Sequence, residues 1–166
     1  MRIPLFIGTY SVRGSQGIYG TMFESETGHM SAPQPILPPG TLFNPTYLAV
    51  WGDRLYATGD TGPQGVPPNE GRVVFFRIRT ELMALERIAD APCGQGSPCH
   101  LCLFDHHRRL AAAHYRNGEL FFYRLDPKGI PTLETVFRFP GRGPVSGRQE
   151  ASHFHASASS PNGKWL

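Results

Sequence analysis

Cysteine is scarce in this chain. Cys93, Cys99 and Cys102 are the whole complement, and an odd number of thiols gives no disulfide framework. Apolar runs are short, and none approaches the roughly 18 residues that read as a membrane-crossing helix. The opening stretch, MRIPLFIGTY, has one arginine and an apolar patch too brief for the core of a secretion signal. These absences make a reducing, cytoplasmic setting the default and leave no membrane partner to expect. Charge is sparse too: charged residues are 17% of the chain, and the basic ones form no run. A net charge of +3 spread in this way argues against nucleic acid and mildly favours a small anionic ligand. Sustained helical periodicity is also missing, because Gly or Pro interrupts almost every candidate window.

What is abundant points elsewhere. Apolar residues make up 40%, enough for a globular core, and the chain holds 19 Gly and 16 Pro without a short period. That many chain-breakers suits many short strands joined by turns. Three segments repeat: NPTYLAV from Asn44, SPCHLCLF from Ser97 and SHFHASA from Ser152, with Tyr47, His100 and His155 aligned at spacings of 53 and 55. Two further series run in phase, LFIGTY, LYATGD and LAAAHY, then GIYGTMF, GRVVFFR and GELFFYR. A weaker fourth run completes each period: MSAPQPI, LMALERI and TLETVFRF.

Four short strands per period of about 50 residues is the signature of a β-propeller blade. The fold class is therefore all-β, a propeller of four-stranded antiparallel blades, here an incomplete arc of roughly three blades. With strands lettered a to d from the axis outward, the chain reads b-c-d, a-b-c-d, a-b-c-d, a. Inner strands are expected near 46–51, 98–104 and 153–159. The expectation for 1–166 is the N-terminal part of a longer propeller domain, cut within a blade, with the remaining blades as missing partners.

Blade geometry sorts the polar residues. The d–a loops, the starts of strands a and the b–c loops share one rim, which collects Tyr47, His100, His153 and His155. Tyr115, Arg116 and Asn117 join from a b–c loop, and Arg142, Arg148 and Gln149 from a d–a loop. His106 and His107 fall in an a–b turn at the opposite rim and read as solvated. His114 alternates away from Tyr115 and is expected to pack between blades. Cys99 and Cys102, three apart on a strand, point to opposite faces and read as buried thiols rather than a metal or redox pair. His153 and His155 could turn both rings toward one metal with His100 as a third ligand, yet Glu150 is the one carboxylate of matching placement, so no metal and no cofactor is expected.

FIGTYS, NPTYLAV, SPCHLCLF, AHYRNGELFFYRL and GPVSGRQEASHFHASASSPNGKWL resemble the seven-bladed β-propeller 6-phosphogluconolactonase family, which also includes carboxymuconate cyclases. The likeness runs the whole length in order. It departs at His114, where the family usually has Asn, and at Phe154 and Ala156, where it has Pro and Ser. The resemblance implies a lactone hydrolase acting on a small anionic sugar lactone. His100 or His155 would serve as base and Arg148 as anion clamp. Tyr115, Asn117, Gln149, His153 and Arg142 would contact the substrate, and Arg142 and Arg116 lie on the right rim to meet a phosphate on it. A carboxymuconate-type cycloisomerase and a non-catalytic binding propeller are the alternatives. The 166 residues alone are expected to be a poor enzyme.

Overall fold

The computed structural model describes residues 1–63 and 69–166. Its strands form three antiparallel sheets. The first contains β1 (Arg2–Gly8), β2 (Ile18–Glu24) and β3 (Gln34–Pro35), in that order. The second runs β4 (Leu48–Trp51), β5 (Arg54–Asp60), β6 (Glu70–Arg79), β7 (Ala84–Gln95). The third runs β8 (His100–Phe104), β9 (Arg109–His114), β10 (Glu119–Leu125), β11 (Pro131–Arg138). A single 3-10 turn over Thr80–Leu82 is the only helical element among the described residues. No described helix is long and apolar enough to cross a membrane. The arc of about three blades, lettered b-c-d, a-b-c-d and a-b-c-d, is thus as the repeats foretell.

Turn chemistry sets the register. Trp51 pairs with Arg54 across a two-residue loop led by Gly52 at φ 59°, which suits a tight hairpin whose first residue must be left-handed. The equivalent turn in the third sheet closes Phe104 on Arg109 and holds Asp105, His106 and His107 at φ 49°, 53° and 62°. Three consecutive non-glycine residues in that region carry local strain.

The core lies between the sheets. Ile18, Leu37 and Leu42 of the first blade pack with Leu55, Ala57, Val74, Phe76 and Ile78 of the second. Tyr56, Val73, Phe75, Ala91 and Cys93 pack in turn with Leu101, Leu110, Ala112, Phe121, Tyr123 and Leu125 of the third. Strands β5 and β9 are buried on both faces for this reason, which explains their nearly unbroken apolar or small sequences. Two phenols stitch the second blade to the third: Tyr56 donates to the Gly129 carbonyl at 2.8 Å and Tyr123 to that of Pro92 at 2.7 Å. The far side of the third blade gathers Phe104, Phe122 and Phe154, with Phe137 and Phe139 half-open to solvent. On the first blade, Leu5 and Ile7 are likewise exposed.

One expected element differs. Residues 153–159 form no strand. In the second and third blades strand a draws its ladder from strand b of its own blade, and no described strand offers that edge to 153–159. The segment still lies along the third blade. The Cys99 thiol donates to the His155 carbonyl, with Sγ and oxygen 3.4 Å apart. Ser160 N–H meets the Trp165 carbonyl at 2.9 Å across the turn that follows.

Candidate functional site

The starts of the inner strands are braced before they reach the rim. Asn44, at φ 50°, donates through Nδ2 to Asp60 Oδ2 at 2.9 Å, and Ser97 donates its hydroxyl to the same oxygen. Ser11 N–H reaches Asn44 Oδ1 at 3.0 Å, while the Asn44 N–H reaches Ser11 Oγ at 2.9 Å. Asn44 and Ser97 stand at equivalent places in the repeat, each just before a proline. Their shared carboxylate therefore fixes where the Tyr47 and His100 strands begin. The network couples residues of three consecutive blade units, and sequence reasoning did not find it.

Tyr47 and His100 come together as the repeat requires, with ring centroids 4.2 Å apart. Beside them Tyr115 stacks on His153 (4.4 Å, 11°) and meets His155 edge-on (5.3 Å, 75°). His153 Nδ1 donates to the Tyr115 carbonyl at 2.9 Å, so in the neutral ring Nε2 is the basic nitrogen. His114 is buried between blades as expected, its Nε2–H donating to the Gly96 carbonyl at 2.9 Å. His106 is exposed in the distant turn, but His107 is half-buried and stacks flat on Trp51 at 4.6 Å. It is a packed ring, not only a solvated one.

A cleft of about 260 Å³ opens at this rim. That is just under the range of about 300–1,000 Å³ usual for ligand pockets and suits a molecule the size of one sugar ring. Tyr10, Thr46, Asn69, Ser97, Cys99, Tyr115, Arg116 and His155 are among its walls. His100 instead faces the adjoining groove along the inner strands, with Tyr47, Cys102 and Ser157. Asn117 lines a separate hollow with Arg138, and its amide donates to Glu119 at 3.3 Å. Arg142, Arg148 and Gln149 sit on an exposed loop and do not line the cleft among the described residues. The Gln149 side-chain oxygen accepts from the Val145 N–H of its own loop at 3.3 Å. Tyr10, Thr46 and Asn69 were not singled out from sequence. Tyr10 could have been, because it follows Leu5 as Tyr115 follows Leu110.

Electrostatics separates the two principal histidines. Burial, and secondarily the charge His155 would carry, holds the His100 imidazole below the usual histidine value. Its Nδ1 is buried without a hydrogen-bond partner. The fold thus favours neutral His100. The stability this contributes is full above the unfolded value of about 6.5 and fades as pH falls through the lower folded value. Melting curves between neutral pH and about pH 5 should therefore show a smaller acid-side loss in His100→Gln than in wild type. Equal losses would show that His100 takes no part in the acid limb. Burial pushes the Cys93 thiol up to about 12 and raises Cys99 and Cys102, which disfavours their thiolates; Cys93 is buried as expected, but Cys99 and Cys102 are only half-buried. No cluster of three or more His, Cys, Asp or Glu side chains arranged to hold a metal occurs among the described residues.

The chain resembles known proteins along almost its whole length. It is 28% identical to the 6-phosphogluconolactonase of Bacillus subtilis over 97% of its own residues and 44% of that protein. The periplasmic gluconolactonase PpgL of Pseudomonas aeruginosa superimposes with a TM-score of 0.84 at 25% identity, covering 98% of this chain and 46% of the other. A Lactobacillus plantarum protein of 22% identity shares the fold, with a TM-score of 0.82 over 98% of this chain and 45% of its own. The chain thus spans a little under half the length of the relatives it matches. The model of the family described as "Lactonase, 7-bladed beta-propeller" matches residues 4–166, and this chain belongs to that family.

Proposed function

We propose that residues 1–166 form the N-terminal part of a seven-bladed ring and supply one side of a site that hydrolyses sugar-acid δ-lactones. The observation that carries the reading is the convergence of Tyr115, His153 and His155 on one rim, beside His100, whose imidazole burial holds below the usual histidine value. A neutral imidazole can take a proton from water as the water oxygen adds to the ring carbonyl carbon. The carbonyl oxygen becomes an oxyanion, which re-forms the double bond as the ring C–O bond breaks. The ring oxygen then takes the proton back, leaving the open hydroxy acid. His155 is the first choice as base because it borders the cleft, with His100 second. Tyr115 and His153 would hold the sugar hydroxyls. Arg148 fits the role of oxyanion donor only when its exposed, partnerless side chain reaches the rim, and the same holds for Arg142 and Gln149 as substrate contacts. Asn117 would contact substrate from the neighbouring hollow.

The direct test is the rate of δ-lactone opening above the spontaneous rate. The described arc holds about three blades of the seven proposed, and preorganised charge stabilisation depends on the enclosure the others would add. The 166-residue chain should therefore turn over far more slowly than the Bacillus subtilis relative assayed in parallel. A seven-bladed protein containing this chain should recover the rate. Full turnover by the monomeric chain would refute the enclosure argument, and no turnover by the seven-bladed protein would refute the hydrolase reading.

A further inference from the structure

Arg116 stands out among the cleft residues. It occupies the b–c loop position filled by Ser11 and Thr61 in the two earlier repeats, so a short hydroxyl is replaced once by a long cation. Its side chain is exposed at the cleft wall and has no hydrogen-bond or ion-pair partner among the described residues. Among the described residues no carboxylate shares the lining, and the neighbouring walls are Tyr10, Tyr115 and His155. Elsewhere guanidinium groups are engaged: Arg138 with Glu119, Arg79 with Glu86, Arg72 with Glu70, Arg109 and Arg124 with Glu134. Arg13, Arg142 and Arg148 are also without a partner among the described residues, but they do not line the cleft. A free planar fork in a concavity without acids matches an oxyanion that can take two parallel N–H bonds.

We infer that Arg116 is the anion anchor of this cleft. It binds a phosphate or carboxylate carried by the ligand away from the reacting carbonyl, and so selects acidic over neutral sugar derivatives. The inference rests on the lactonase reading for the identity of the ligand as a sugar acid, but it concerns binding and needs no turnover. Arg116 is a specificity-determining residue here; the proton is moved by histidine.

Titration calorimetry on the 166-residue chain tests it, with glucose 6-phosphate, gluconate and glucose as probes. Wild type should bind one or both acidic probes about 10- to 100-fold more tightly than glucose, the range expected of hydrogen bonds to a charged group. A preference for glucose 6-phosphate over gluconate identifies phosphate as the anion, and the reverse identifies carboxylate. Arg116→Ala should abolish the preference and Arg116→Glu should invert it. Arg116→Lys should keep part of it, as a point charge without the fork. Arg124→Ala removes the same charge from the opposite end of the third blade and should change nothing. Equal affinity for acidic and neutral probes in wild type, or an acidic preference that survives Arg116→Ala, would overturn the inference. Charge selection without lactone opening in the seven-bladed protein would overturn the hydrolase reading and leave Arg116 standing. Lactone opening with indifferent Arg116 variants would do the opposite.

Discussion

His155→Ala is expected to lower kcat/KM for δ-lactone opening by about 10²- to 10⁴-fold, the usual contribution of a positioned general base. The measurement belongs in a seven-bladed protein containing this chain, where further blades would enclose the cleft. His155 borders the cleft, and its ring meets Tyr115 edge-on. Removing one imidazole takes away the proton acceptor and leaves the sugar contacts, so the loss should fall on kcat more than on KM. His155→Gln should be about as poor, because an amide hydrogen-bonds but does not accept the proton. If both variants keep the wild-type rate, the base is elsewhere, and His100→Gln becomes the decisive variant. Arg148→Ala in the same protein should cost orders of magnitude as well if that guanidinium meets the oxyanion.

The largest expected effect on stability is at Tyr123. Its side chain is fully buried between the second and third blades, and its hydroxyl donates to the Pro92 carbonyl. Tyr123→Ala removes an aromatic ring from a packed layer and should cost about 3–5 kcal/mol. For a chain of this length that is a fall in Tm of roughly 6–20 °C. Tyr123→Phe keeps the ring and loses only the part-buried hydrogen bond to Pro92, a loss of about 0.5–1.5 kcal/mol. If the two variants melt together, ring packing contributes nothing and the account of this layer fails. The same phenols imply alkaline sensitivity. Burial pushes Tyr56 up to about 12 and Tyr123 higher still. Their neutral forms are favoured by the fold, so the stability they give is full below about pH 10 and lost as pH climbs through the raised values.

The fold was legible because the repeat carries its own alignment. Leu5, Leu55 and Leu110 mark strand b in each blade, and the Gly-led runs mark strand c, so strand order followed from spacing alone. The segment 153–159 was the exception: its apolar and small residues match the repeat, but a ladder is a property of two strands, and its partner is not among those described. At the site, alternation along β9 separated a fully buried His114 from an exposed Tyr115, but both line the same cleft. Loop residues were harder. Arg142, Arg148 and Gln149 belong to the right loop by topology, yet the turn bonds of Gly143, Val145 and Gln149 bend that loop back on itself. Periodicity fixes which end of a blade a loop occupies; it does not fix where a long side chain on that loop points. His107 was misjudged for a related reason, since its stacking partner Trp51 lies in a different blade.

Each layer of the core joins one sheet to the next, and the Tyr56–Gly129 bond spans 73 residues. On a ribosome this separation is a waiting time. At about 5–20 residues per second, roughly 4–15 s pass between the synthesis of Tyr56 and that of its acceptor. The second blade can dock on the first during that interval, but the face of Tyr56 and Phe75 stays bare until β9 and β10 arrive. Nascent chains stalled between Arg79 and Arg109 should therefore be the ones a holdase grips, and those extended past Ile130 the ones it releases.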